Sequence, residues 1–411
     1  MTRPRRAAWV LGVKIKNIHA VYPFEGYVIQ SVTCQPVGIQ IKLRRDRRRA
    51  LRCPDCGGRM AFNRERQQLA YDLSCGAGKV TYVLYPATQG TCSACAGYRT
   101  VRPAEIHPSR GATWRLMRHV SLLARHVPFR LMSAVAEVPA ATAWRYDKAV
   151  LEADLPEPCL DGIRAILVDE KSVGKGHRYV TLVLDAESGE LLHLFEGKKK
   201  ASLDAFFARL TPAQKSTIQA ACIDRAGAYR ASIEEHLPGA AIVYDKFHLA
   251  KNLNAALDAV RREEYREAQE AGKAAIKGQR YNLLRHPENI PEGRREGLRN
   301  LLALNEKISA AYVLKDAFRQ LWTYSKEGWA RRYLDSWIGW VRESGIAPLQ
   351  RFANGLARDT QPVLNYFRHP ISNGRLEGFN SIAARIIAKC RGIRSIPYLY
   401  LRLRHESILQ M

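Results

Sequence analysis

Ile163-Arg-Ala-Ile-Leu-Val-Asp-Glu170, Arg178-Tyr-Val-Thr-Leu-Val-Leu-Asp185 and Leu191-Leu-His-Leu-Phe195 are three apolar runs, separated by Gly-Lys-Gly at 174–176 and Glu-Ser-Gly-Glu at 187–190. Short runs rich in Val, Ile, Leu and Tyr between turn residues read as buried strands, and the short breaks make them successive hairpins. A helix is expected from about Leu203 to Leu210, a fourth strand over Ile218–Asp224 and a helix through Tyr229. Ala240-Ala-Ile-Val-Tyr-Asp-Lys-Phe-His248 supplies a fifth strand. The first, fourth and fifth of these strands run into acids, at Asp169, Asp224 and Asp245.

An order βββαβαβ with carboxylates at strand ends predicts an α/β core of the RNase H-like kind, a mixed sheet that offers acids to divalent cations. The chemistry follows from charge. Cleaving a phosphodiester needs an activated oxygen nucleophile and neutralised charge on phosphorus and leaving group; two Mg²⁺ (or Mn²⁺) about 3.5–4 Å apart supply both, and such hard cations want oxygen ligands. Asp169 and Asp224 are the first two candidates. Glu377 is the third, in Ile371-Ser-Asn-Gly-Arg-Leu-Glu-Gly-Phe-Asn380, where it opens a helix with an apolar face of Leu376, Phe379, Ala383, Ile386, Ile387 and Cys390. Glu170, next to Asp169, points to the opposite side of its strand by period-two alternation. Arg225 directly follows Asp224; a cation there would weaken metal affinity or clasp a phosphate.

The sequence upstream has a different chemistry. Of the nine cysteines in the 411 residues, Cys53-Pro-Asp-Cys56-Gly-Gly and Cys92-Ser-Ala-Cys95-Ala-Gly form two CxxC knuckles followed by small residues. That arrangement suits a four-thiolate Zn²⁺ site, one structural ion per chain, with alternating residues such as Val80–Tyr85 forming a hairpin insert between the knuckles. An odd cysteine count with no secretion signal disfavours a disulfide scaffold; Cys34, Cys75, Cys159, Cys222 and Cys390 read as small core residues, with Cys75 near enough in sequence to compete for metal. After the ribbon, Trp114–Arg125, Phe129–Val138 and Ala140–Val150 read as three helices with a tight break at Val138-Pro139, a helix-turn-helix plan. Its last helix would present Thr142, Arg145, Tyr146 and Lys148 to a DNA groove. Pro156 and Pro158 mark a boundary.

Charge supports this division. The chain carries 65 Lys and Arg against 39 Asp and Glu, a net +26. Residues 1–150 hold 25 basic and 8 acidic side chains, 151–350 hold 30 and 28, and 351–411 hold 10 and 3. The excess sits at both ends, so a polyanion is the expected partner and double-stranded DNA the foremost candidate. Arg44 and Arg45 within the 44–49 run, Lys175 in the hairpin turn, and Lys389, Arg391 and Arg394 in the C-terminal stretch are candidate phosphate contacts. No run approaches the roughly 20 apolar residues of a membrane span. Residues 251–368 read as a charge-balanced helical insertion whose Trp322, Trp329, Trp337 and Trp340 mainly form a core. The expected organisation is thus a strand-rich segment with the ribbon (1–108), the helix-turn-helix (109–155), the core's first part (160–250), the insertion (251–368) and the Glu377 helix with a basic tail (369–411).

The strings VDEKSVGKGHRYVTLVLD, IDRAGAY, YDKFHLAKNLN and SNGRLEGFNSIAARIIAKCRGIRS, together with the ribbon and helix-turn-helix, resemble the insertion-sequence transposases of the DDE superfamily. The resemblance covers nearly the whole chain and is strongest over 163–255 and 371–405. It implies that Asp169, Asp224 and Glu377 are the metal-binding triad, and that Asp245-Lys-Phe-His248 matches a family signature placing His248 near the cleaved strand as a positioning group or proton donor. It further implies binding to terminal inverted repeats, 3′-hydroxyl strand transfer into target DNA, a homodimer or larger assembly, and a bacterial, cytoplasmic, nucleoid-associated setting. The second knuckle is looser than the family's Arg- and Phe-rich form. The residues alone leave two other readings open, a non-catalytic regulator using the same ribbon and helix-turn-helix, and an RNase H-like structure-specific nuclease.

Overall fold

The computed structural model describes residues 9–10, 13–14, 23–36, 38–74, 80–174, 176, 178–225, 227–389 and 395–409. Lys175, Arg391 and Arg394, like Cys75 and Cys390, lie outside the described residues. The chain divides into two compact units, Met1–Pro156 with Lys389–Arg391, and Glu157–Ala388 with Gly392–Met411.

The first unit is built on strands β1 (Tyr27–Gln35), β2 (Gly38–Arg45), β3 (Met60–Asp72), β4 (Val80–Cys92) and β5 (Gly97–Val101). Their order is β1-β2-β4-β3 with β5 also on β4; β2 and β4 run parallel and the other pairs antiparallel. β3 and β4 pair from Met60↔Cys92 to Asp72↔Thr81, so the segment between the knuckles is a long hairpin arm. Gly38 is required where β2 meets β4, because a Cβ there would lie 2.2 Å from the Val80 carbonyl oxygen.

Helix α1 (Trp114–Ala124) is capped by Thr113, whose Oγ1 accepts from the Leu116 amide and donates to Asp72 Oδ1 at 2.6 Å. Helix α2 spans Ala140–Asp154. The expected middle helix is only a 3₁₀ turn at Phe129–Leu131 and one α-turn at Met132–Val135. Glu137 then takes a left-handed φ of 56° and Pro139 follows, which stops propagation. Leu116, Met117, Val120, Met132, Ala143, Tyr146, Ala149 and Val150 form the core of this bundle.

The second unit holds β6 (Ala165–Gly174), β7 (Arg178–Asp185), β8 (Leu191–Glu196), helix α3 (Lys200–Phe207), β9 (Ala220–Ile223), helix α4 (Gly227–His236) and β10 (Ala241–Tyr244). The sheet order is β8-β7-β6-β9-β10, antiparallel across β8, β7 and β6 and parallel across β6, β9 and β10. β6 runs past the expected end at Glu170 because β7 pairs with it as far as Gly174↔Arg178, whereas β9 pairs with it only over Ala165–Leu167.

Helix α5 (Lys246–Glu267) leaves β10 directly and leads into the helical stretch that includes α6 (Glu306–Gln320), α7 (Glu327–Glu343) and α8 (Ala347–Ala357). These helices share one continuous hydrophobic core with the sheet, from Ile166 and Ile223 to Trp337 and Leu364. Trp337 is fully buried and donates Nε1–H to the Leu314 carbonyl at 2.8 Å, while Trp329 and Trp340 are exposed. Helix α9 (Gly374–Lys389) carries Glu377 in its first turn, and α10 (Ile396–Ile408) follows.

Candidate active site and cysteine cluster

Strand register brings the acids together. Leu167 pairs with Cys222 and Ile223 with Tyr244 in parallel ladders. Two residues beyond the first pair and one beyond the second, Asp169, Asp224 and Asp245 follow on three adjacent strands, which lie about 4.8 Å apart. Loss of the β9 ladder beyond Leu167 opens the sheet at this point.

Asp169 is 6% exposed. Its Oδ1 accepts from the Glu170 amide at 2.7 Å and its Oδ2 from Asn380 Nδ2 at 2.9 Å. Burial nevertheless holds its carboxyl above the usual range, and the Asp224 charge adds to the effect. Asp245 is fully buried and works as a junction. Its Oδ2 caps α5 by accepting from the His248 amide at 3.1 Å and lies 2.9 Å from His248 Nδ1; its Oδ1 accepts from the Asn373 amide at 3.0 Å. The His248 ring is therefore held toward its charged form, first by the Asp245 bond and then by the Asp169, Asp245 and Asp224 charges.

Glu377 is an exposed side chain whose carboxyl still sits above the usual range, through partial burial and then the charges of Asp245 and Asp169. Asp169 feels the charges of Asp224 and His248, and Glu377 those of Asp245, His248 and Asp169, whereas among the described residues these acids do not bring three donor atoms within 4.8 Å of one another. Glu170 turns away and pairs with Lys198 at 3.5 Å. Arg225 donates to the Gly355 carbonyl at 3.0 Å and sets its guanidinium over Tyr244.

Sequence reasoning missed two asparagines and a lysine. Asn373 and Asn380 flank Glu377 on α9 and its lead-in, and Lys171 Nζ donates to the Asn380 carbonyl at 2.9 Å. The signal was present in the spacing, since residues four before and three after Glu377 share its helix face. Asn373 Oδ1 and Asn380 Oδ1 are buried without a hydrogen-bond partner. The carboxylates make a hard oxygen donor set of the kind Mg²⁺ or Mn²⁺ takes, and the orphan Asn380 oxygen adds a polar end beside them.

Among the described residues, the group of three or more metal-ligand side chains whose donor atoms all lie within 4.8 Å of one another is Cys53, Cys56, Cys92 and Cys95. Cys53 and Cys95 sulfurs are 3.8 Å apart, Cys56 and Cys92 sulfurs 3.5 Å. A tetrahedron with Zn–S bonds of about 2.3 Å has S–S edges of about 3.8 Å, so the cradle fits zinc. Gly57 and Ala96, each just after the second cysteine of its knuckle, both take a left-handed φ, 72° and 47°. The same turn is thus built twice, once with the residue that adopts it freely and once with alanine at a cost of about 1–2 kcal/mol. Neighbouring amides lower the Cys53 thiol to about 7, whereas contacts with the other three sulfurs push Cys95 up to about 12. Four sulfurs this close could hold one zinc ion, whose charge would stabilise all four as thiolates.

The groove-facing residues need one correction. Tyr146 is 4% exposed in the core of the helical bundle, because an i, i+3 match with Ala143 and Ala149 turns it inward. Arg145 is exposed; Thr142 is half-buried, as is Lys148, which pairs with Glu152 at 3.4 Å. Arg44 is exposed, Arg45 half-buried with Nη1 on the Arg49 carbonyl, and Lys389 half-buried. Among the described residues no helix is long and apolar enough to cross a membrane.

Residues 166–403 match the family of ISL3-type DDE transposases, described as transposase. The chain is 32% identical over 316 residues to the transposase for insertion sequence element IS1001 of Bordetella parapertussis, covering 76% of this chain and 78% of that protein. It is 27% identical over 320 residues to the transposase for insertion sequence element IS1557 of Mycobacterium tuberculosis, covering 72% and 68%. With the family matched over more than half its length and a relative 32% identical over 76% of the chain, the chain belongs to the insertion-sequence DDE transposases.

Proposed function

We propose that this protein binds the terminal inverted repeats of an insertion sequence, cleaves DNA strands there and joins the freed 3′-hydroxyl to target DNA. The reading is supported by the parallel register that sets Asp169 and Asp224 on neighbouring strands, and by Glu377 in the first turn of α9, close enough to Asp169 to feel its charge. We read the second unit as an RNase H-like core with a helical insertion, and the first as a zinc ribbon followed by a helix-turn-helix.

Divalent cations held by Asp169, Asp224 and Glu377 would activate the attacking oxygen and neutralise charge building on phosphorus. The remaining work belongs to the chain's own groups. Asp245 fixes the His248 ring through Nδ1, which leaves Nε2 to hold or deliver a proton at the cleaved strand. Asn380 and the Glu170 amide fix both oxygens of Asp169. The test is a cleavage-and-joining assay on DNA carrying the repeats that flank the coding sequence. Mg²⁺-dependent cutting at the repeat ends followed by joining to a second DNA is expected. Binding without cutting would point to a regulator, and cutting of branched DNA without joining to a structure-specific nuclease.

The proposed DNA surface of the first unit includes a hollow of about 500 Å³ where Arg45, Arg49, Arg52 and Arg102 converge, with Glu25 and Asp46 at its edge. The Arg49–Glu25 pair, 3.4 Å apart with both side chains mostly exposed, is too weakly coupled to occupy the cation. Arg49→Ala and Arg102→Ala are each expected to reduce the slope of log affinity against log salt by about one, and to weaken repeat and random DNA alike. An unchanged slope in both variants would remove the hollow from the DNA surface.

A further inference from the structure

We propose that Asn380 is a positioning residue for the metal-dependent step, acting through Asp169. The inference rests on the reading of Asp169, Asp224 and Glu377 as the metal-holding acids. Asn380 lies three residues after Glu377 on α9, so the two side chains share one helix face about 5–6 Å apart. Its Nδ2 donates to Asp169 Oδ2 at 2.9 Å, and the Glu170 amide donates to Asp169 Oδ1 at 2.7 Å. Each carboxylate oxygen thus has one fixed donor and one lone pair to spare, and the carboxylate plane cannot rotate without breaking a bond.

The second contact makes this a register lock. Lys171 Nζ donates to the Asn380 backbone carbonyl at 2.9 Å. Lys171 lies two residues beyond Asp169 on β6 and therefore on the same sheet face. Two successive inward residues of the strand grip one residue of the helix, so the separation of Asp169 from Glu377 is set at Asn380. Its Oδ1, buried without a partner, gives the amide a second polar end inside the site.

Asn373 provides the contrast. It is fully buried, gives its amide to Asp245 Oδ1 at 3.0 Å and its Nδ2 to the Val168 carbonyl at 3.5 Å, and holds the backbone leading into α9. It answers a helix-capping carboxylate and a strand carbonyl and so holds the fold, whereas Asn380 acts on the carboxylate read as a metal ligand.

The test compares Asn380→Ala and the near-isosteric Asn380→Leu with Asn373→Ala and Asp169→Ala in the full chain. Mn²⁺ binding is read without DNA by electron paramagnetic resonance, and the metal concentration for half-maximal cleavage is read separately. Both Asn380 variants are expected to weaken Mn²⁺ binding and raise the half-saturating metal about 10–100-fold, the usual effect of losing a group that orients a ligand. Their Tm should stay within about 2 °C of the parent, while Asn373→Ala lowers it by about 4 °C or more. Asn380→Leu behaving like the parent would reduce the residue to a space-filler, and a Tm loss matching Asn373→Ala would make it a structural clamp. Either result overturns the inference. If Asp169→Ala itself bound Mn²⁺ like the parent, the reading of the acids would fall; parent-like Mn²⁺ binding in the Asn380 variants beside a loss in Asp169→Ala would sink only the role of Asn380.

Discussion

Asp169→Ala, Asp224→Ala and Glu377→Ala, made singly, are each expected to cut strand cleavage by at least about 10³-fold while repeat-end affinity stays at the parent level. Groups that only orient a metal ligand typically cost about 10–100-fold, so loss of a ligand itself must exceed that, equivalent to about 4 kcal/mol or more in the barrier. Glu170→Ala is the internal control. Its residue lies one position along β6 from Asp169 and is paired with Lys198, so cleavage should stay within a few-fold of the parent. Stability should move the opposite way from activity. The Asp169 and Glu377 carboxyls are held above their ordinary range, so their ionised forms oppose folding. For an acid whose pKa is raised in the fold, the stabilisation is present below the unfolded value and is lost as pH rises through the folded one. Near pH 7, Glu377→Gln is therefore expected to melt no lower than the parent while remaining inactive. Gel shifts, nicking assays and thermal melts on the same preparations check all three statements. A triad variant that cuts at the parent rate would lose its place among the ligands.

Asp245→Ala belongs to a different class and should not be read as a fourth ligand variant. Its fully buried carboxylate caps α5, holds His248 and takes the Asn373 amide. Removing it leaves three donors unanswered in the interior, at about 1–3 kcal/mol each. A loss of activity in that variant would accompany a loss of fold.

How far the site could be read in advance follows from which forces act locally. The strands of the second unit were legible because each is a continuous apolar run bounded by turn residues, and Asp169, Asp224 and Asp245 were legible as the first charges after such runs. The extension of β6 to Gly174 was not, because it depends on β7 continuing to pair after β9 has stopped. The same holds for the short turn at Met132–Val135. Its residues favour a helix, and the left-handed Glu137 that ends it is a tertiary outcome. Tyr146 was read as groove-facing from its polar tip, but packing against Ala143 and Ala149 decided its direction. Trp329 and Trp340 show the converse, apolar residues at helical spacing that the fold leaves on the surface while Trp337 is buried. Asn380 could be placed on the Glu377 face by its spacing of three, but its hold on Asp169 could not be read until the strand beside the helix is known.

Removing zinc is the second perturbation expected to have a large effect, and a local one. Cys53→Ser/Cys56→Ser, or a strong chelator, should release about one zinc per chain and abolish repeat binding, while the second unit keeps its cooperative melt. The reason is the size of the core beneath the knuckles. Among the described residues the buried cluster there is Leu51, Cys53, Met60 and Cys92, with Cys95 and Val101 packed against it, and two of those four buried residues are candidate ligands. So small a cluster cannot offset the ordering entropy of two knuckles, and one of them holds Ala96 in a left-handed turn as well. Zinc bonds would supply the difference, which for structural zinc sites is of order 10 kcal/mol at neutral pH. The neighbouring sheet has its own core of Tyr27, Ile29, Ile41, Leu43, Val83 and Tyr85, so its strands should survive while the knuckles open. Metal analysis, amide exchange over residues 51–60 and 90–99, and repeat binding check the claim together. Parent-level zinc in the double variant would refute the four-cysteine site. Full zinc loss with repeat binding intact would keep the metal but take the ribbon out of DNA recognition, leaving that task to Arg145 and the arginine hollow.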